Sequence, residues 1–252
     1  MKLFKMLISG IALCFLTFAS LSASETLTSE AAYQKALSLM SEEKYDEAIG
    51  ILSGLASGNT DTGYHFLLVE ALLEKSRVMK ESGDPNWKST AREAQARIKN
   101  LYRSNYTNSD YWILYVKFGA LIDRENEVAG GFKKIFYYKP GNADALILQG
   151  DIYAKLAKES REATIFEERE TNNAWDERED RGQTARKAYK SALESGELPA
   201  DRKAEVYCRI GDLEMLVFNN KTGAADFWNL AVSAQPDSKW AVSARERLNR
   251  YK

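Results

Sequence analysis

"WILYVKFGALIDRENEVAGGFKKIFYYKP", residues 112 to 140, holds two helix-period runs and one stop signal. Trp112 and Tyr115 sit three apart in the first run. Val128, Phe132 and Ile135 recur at four and then three residues in the second, which is the spacing of one helical face. Pro140 and Gly141 break the run, since proline lacks the donor a helix interior needs. A new run begins at once with Leu146, Gly150 and Tyr153. A glycine inside a helix costs about 1 kcal/mol relative to alanine. Its presence at Gly150 implies that another element approaches the backbone closely there.

The second run has four counterparts. A small residue followed by apolar or small ones four and seven places later occurs as Ala48, Leu52, Leu55 and as Ala94, Ile98, Leu101. It returns as Ala185, Tyr189, Ala192 and as Ala224, Trp228, Ala231. All four prolines (Pro85, Pro140, Pro199, Pro236) fall between such runs, and no stretch shows sustained strand-like alternation. The chain reads as all-α.

These spacings resemble the tetratricopeptide repeat, a helix pair of about 34 residues with the pattern W-x₂-L-G-x₂-Y, A-x₃-F, P. Trp112, Val128, Phe132 and Pro140 keep the internal spacing, and Leu146, Gly150 and Tyr153 open the next copy one repeat later. The resemblance implies an α-solenoid with repeats near 29–61, 62–108, 109–142, 143–199 and 200–236, and a capping helix at 237–251. It implies that Gly150 lets the two helices of its repeat pack closely, with the Ala185 position opposite. It also implies a groove lined by the second, fifth, ninth and twelfth places of each first helix. Those places hold Asp110, Ile113 and Lys117; Asp144, Ile147 and Asp151; and Glu205, Cys208, Asp212 and Met215. Gln149 departs from the family's leucine and Val116 from its glycine. An unrelated antiparallel helical bundle is the alternative fold.

Two repeats are longer than the pattern allows. Between Gly150 and Asn172 there is neither proline nor glycine, which predicts helices extended to 20 residues or more, with a turn at Asn172 and Asn173. Small residues at Ala157, Ser160 and Ala163, and at Gly182, Ala185 and Ala188, could let the extensions pack together. Ile165, Phe166 and Trp175 would lie near the tip of that arm, either gripped by a partner or stapling the hairpin end to itself.

At the start, Lys2 and Lys5 precede an apolar run from Met6 to Phe18, followed by small residues to Ser24. That layout predicts a signal peptide over 1–23, leaving one domain over 24–252 in a secreted or periplasmic setting. Retention as an anchor, or lipidation at Cys14, would place the chain at a membrane instead. Losing two lysines takes the formal charge from −1 to −3, no footprint for nucleic acid.

His65, the one histidine, has no companion for catalysis or metal binding, and Cys208 none for a disulfide. Neither a phosphate loop nor a dinucleotide fingerprint is present. No cofactor, metal or enzymatic activity is expected. The reading that follows is an extracytoplasmic scaffold binding a protein or peptide partner of basic or amphipathic character. Its competitor is an accessory protein of envelope solute transport that holds a small apolar ligand between repeats. The segment "PDSKWAVSARERL", residues 236 to 248, is similar to closing helices of periplasmic envelope repeat proteins.

Overall fold

The computed structural model describes residues 28–167, 172–196 and 198–251, with the backbone alone at 161–167 and 172–176. The expected signal peptide and Cys14 lie outside the described residues. Among these residues the order is eleven helices and no strand, so the all-α expectation holds. Contacts divide the chain into two compact units, with the boundary between Arg97 and Ile98.

The first unit contains α1 (Ser29–Ser41), α2 (Tyr45–Ala56), α3 (Thr62–Glu81) and the start of α4 (Trp87–Asn105). Thr28 caps α1 through its hydroxyl, and the Asp61 carboxylate accepts the Gly63 N–H at 2.8 Å to open α3. The small positions Ala48 and Ala94 are fully buried, as are Ala36, Leu52 and Leu68. The Nε2 of His65 lies 3.0 Å from the Asn59 carbonyl oxygen, tying the start of α3 to the turn before it. Gly83, at φ 78°, supplies the left-handed residue that ends α3 before Pro85.

The second unit holds the rest of α4, then α5 (Ser109–Leu121), α6 (Glu125–Tyr138), α7 (Ala143–Glu167) and α8 (Asn172–Glu194). It closes with α9 (Ala200–Leu216), α10 (Lys221–Ala234) and α11 (Lys239–Arg250). The pairs α5/α6, α7/α8 and α9/α10 pack as hairpins, and α11 packs on both α9 and α10. Ala244 of α11 is buried with Trp228 and Ala231, while Leu248 and Trp240 pack against them. At 25 and 23 residues α7 and α8 are the extended helices, and α7 is about 37 Å long. α8 already begins at Asn172, so the turn expected at Asn172 and Asn173 gives way to the first turn of a helix.

Gly150 is buried, as the close-approach argument requires, and the atoms nearest to it belong to Tyr189 rather than to the expected Ala185. A Cβ there would stand less than 3.0 Å from three ring atoms of Tyr189, four residues further along α8. Gly211 faces the Trp228 ring in the same manner. In the hairpin of α5 and α6 the roles are exchanged. Val116 occupies the first-helix place, and the missing side chain is that of Gly131 on the second helix, directly against Val116. The departure at Val116 is thereby compensated across the interface. Gly182 also differs from expectation: it faces Val217 and Phe218 beyond α9 rather than α7.

Candidate partner-binding face

The first helices α5, α7 and α9 carry the candidate groove residues. Asp110 is exposed in the first turn of α5, where its N–H donates to Asn108 Oδ1 at 2.8 Å. Ile113 is half-buried against Val116, Val128 and Phe132, and Lys117 is half-buried one turn on. Ile147 and Cys208 leave the candidate surface. They are 3% and 1% exposed, because the inward stripe of their helices includes their places. Burial pushes the Cys208 thiol up to about 11, which keeps it protonated and unreactive. Met215 is half-buried against Trp228 and its neighbours. Ile165 and Phe166 fall in the last turn of α7 and Trp175 in the first turn of α8; their side chains lie outside the described residues.

The four carboxylates from the repeat positions of α7 and α9 are brought together, but not as open acids. Arg202, Glu205, Arg209 and Asp212 recur every three or four residues along α9, so they share one face. Arg202 binds Asp144 of α7 at 2.9 Å and also Glu205. Arg209 binds Glu205 at 2.5 Å and reaches across to Asp151 of α7. The Tyr189 hydroxyl donates to the same Asp151 carboxylate at 2.7 Å. Asp212 then takes Arg247 of α11 through two bonds, at 2.5 and 2.8 Å, and accepts the Trp228 indole N–H at 3.1 Å.

The outcome is a ladder of alternating charge that crosses α7, α9 and α11. An excess of acid read from the groove positions is therefore met by three arginines at places the repeat pattern does not mark. Glu205 is only 5% exposed and is flanked by the guanidinium groups of Arg202 and Arg209. Burial raises the Asp151 carboxyl above its ordinary range, with the Arg209 charge and the Tyr189 bond opposing that rise. Burial likewise raises the Tyr189 phenol, which stays a donor. The Arg202, Glu205, Arg209 and Asp212 stripe is legible as opposite charges at helical spacing. Its partners on α7 and α11 are not. Among the described residues no group of three or more His, Cys, Asp or Glu could hold a metal ion.

A crystal structure of a thermophilic tetratricopeptide-repeat protein from Thermus thermophilus superposes on this architecture with a TM-score of 0.61. The match covers 89% of this chain and 98% of that one at 13% identity. The fold is the tetratricopeptide-repeat fold. Looser matches are the MamA protein (TM-score 0.44, 13% identity, 82% and 92% of the two chains) and a further repeat protein. The latter is the C-terminal part of a TPR repeat-containing protein from Cytophaga hutchinsonii (TM-score 0.39, 12% identity, 96% of each chain). No family model matches the chain, and no curated protein matches it by sequence. At these identities the likeness is one of fold alone.

Proposed function

We propose that this chain is an exported, non-catalytic scaffold that holds a protein partner on its first-helix face. The observation that carries this reading is the ladder from Asp144 through Arg202, Glu205, Arg209 and Asp151, continued by Asp212 and Arg247. These side chains are held in place before any partner arrives, so little side-chain entropy is lost on docking. A face of alternating charge suits an amphipathic segment whose own polar groups alternate. A strongly basic segment would find chiefly Asp110, which is exposed, and Asp144, whose side chain is 76% exposed. Burial of Ile147 and Cys208 leaves fewer apolar groups for the small apolar ligand of the competing reading. Export rests on the layout of Lys2, Lys5 and the apolar run that follows.

Affinity capture from an envelope extract tests the proposal, using the unaltered chain and an Asp110→Arg, Asp144→Arg variant with unchanged helicity. The expected result is at least one protein captured by the former and lost from the latter. Identical captured sets would remove the first-helix face from the binding role.

A further inference from the structure

The chain as a whole is close to neutral, at a formal net charge of −1, but its acids are unevenly spread. No Asp or Glu occurs from Ile98 to Ser109, from Val128 to Ala143, or from Arg181 to Leu193. These three stretches fall on α4, α6 and α8, the second helices of three successive repeats. Five places beyond the small residue of each helix (Ala94, Val128, Ala185) stands a lysine: Lys99, Lys133 and Lys190. All three are exposed, and the repeat puts them at one register position. The other two second helices hold Ser53 and Asn229 there.

Arg103, Lys134, Lys139 and Lys187 widen the stripe and are exposed as well. None of these seven cationic side chains has an ion-pair partner among the described residues. By contrast Arg181 and Arg186, in the same acid-free stretch of α8, are bound by Glu125 and Glu214 at 2.9 and 2.8 Å. Large aromatic side chains accompany the free charges. Tyr137 is 76% exposed, Tyr106 53% and Tyr102 49%.

We infer that this stripe on α4, α6 and α8 docks the protein onto a bilayer surface carrying anionic phospholipid headgroups. Seven like charges with no ion-pair partner among the described residues repel one another, and an anionic surface relieves that repulsion. Six of the seven are lysines, hydrated point charges that suit diffuse attraction; a fixed anion would call for the forked geometry of arginine. Tyrosine carries an apolar ring and a polar tip, which suit the headgroup layer. The stripe belongs to the second helices, so it leaves the ladder of the first helices open to a protein partner. It acts independently of any N-terminal anchor.

The test is co-sedimentation of the full-length chain with phosphatidylcholine vesicles, with or without about one-third phosphatidylglycerol. The ratio of the two partition coefficients is read, so that attachment by the apolar N-terminal run cancels, while Lys2 and Lys5 before it contribute equally in every variant. At 50 mM salt the ratio should be about tenfold or more, falling toward one at 500 mM. Each lysine that meets the surface contributes about fivefold. Lys99→Glu, Lys133→Glu, Lys190→Glu should therefore bring the ratio near one. Lys35→Glu, Lys155→Glu, Lys221→Glu, with the same net charge, should preserve it. A ratio near one for the unaltered chain, or equal losses in the two variants, would overturn the inference. Retention on poly-glutamate beads without a vesicle preference would overturn it too, assigning the stripe to an acidic protein.

Discussion

Replacing Gly150 by alanine adds one methyl group where the structure has no room for it. The new Cβ would lie under 3.0 Å from Cε1, Cδ1 and Cζ of Tyr189. That ring cannot simply rotate away, because it is 2% exposed and its hydroxyl is held at 2.7 Å by Asp151. Relief requires either that α7 and α8 separate or that the Tyr189–Asp151 bond break. Overpacking of this kind costs about 1–3 kcal/mol, and a lost hydrogen bond to a charged group about 1.5–3 kcal/mol. The intrinsic gain of alanine over glycine in a helix returns about 1 kcal/mol. The net expectation is a loss of about 1–3 kcal/mol, a fall in melting midpoint of about 2–12 °C for a chain of this size. Gly130, exposed in the middle of α6 with nothing within 4 Å of its Cβ position, is the matched control. Gly130→Ala should raise the midpoint, with a gain of up to about 1 kcal/mol. Circular dichroism melts and urea titrations of both variants decide the matter. A Gly150→Ala protein at least as stable as the Gly130→Ala protein would refute the close-approach argument.

Arg209→Met removes the cation between Asp151 and Glu205 while keeping the aliphatic stem. A loss of about 2–3 kcal/mol is expected in urea unfolding, between the values for buried and exposed pairs; a change below about 0.5 kcal/mol would count against the ladder. Because burial raises the Asp151 carboxyl above its ordinary 3.8, the folded chain binds more protons than the unfolded one just above that pH. Stability contributed at Asp151 should therefore fall as pH rises through that window, by no more than about 1.4 kcal/mol per pH unit. Melts of the unaltered chain minus those of Asp151→Asn give this slope, and a rising difference would contradict it. Deleting residues 237 to 252 removes Ala244, Leu248 and Arg247 from Trp228, Cys208 and Asp212. Alkylation of Cys208, now 1% exposed, should accelerate more than tenfold, as peptide mapping would register. If the proposed export with cleavage holds, amino-terminal sequencing of the protein from its native cells should start near residues 22 to 24; recovery of Met1 would defeat it.

The helix pairs were legible because their signal is local. Ala48, Ala94, Val128, Ala185 and Ala224 lie at the start of apolar runs within one helix, and all are at most 1% exposed. Close packing at Gly150 was legible as an anomaly of propensity, but its partner was not, since the register of α8 against α7 depends on tertiary packing. The ladder was half legible. Glu205 and Arg209 sit four apart on one helix, whereas Arg202 meets Asp144 across 58 residues of sequence. An acidic groove was the natural reading of the repeat positions taken alone, because the neutralising arginines occupy other positions. Ile147 and Cys208 were misplaced for a related reason. A list of groove positions carries no information on how far each helix is rotated into its core.

Site-specific photocrosslinking tests the central claim, a protein partner on the first-helix face, most directly. A benzoyl-phenylalanine placed at Asp110 or Asp144 reports on the first helices, and one at Ala129 or Asn229, both exposed, on the second helices. Irradiation in an envelope extract, followed by mass spectrometry, should give a protein adduct from positions 110 and 144 and none of that partner from 129 and 229. The same adduct from all four positions, or adducts from the second helices alone, would contradict the account.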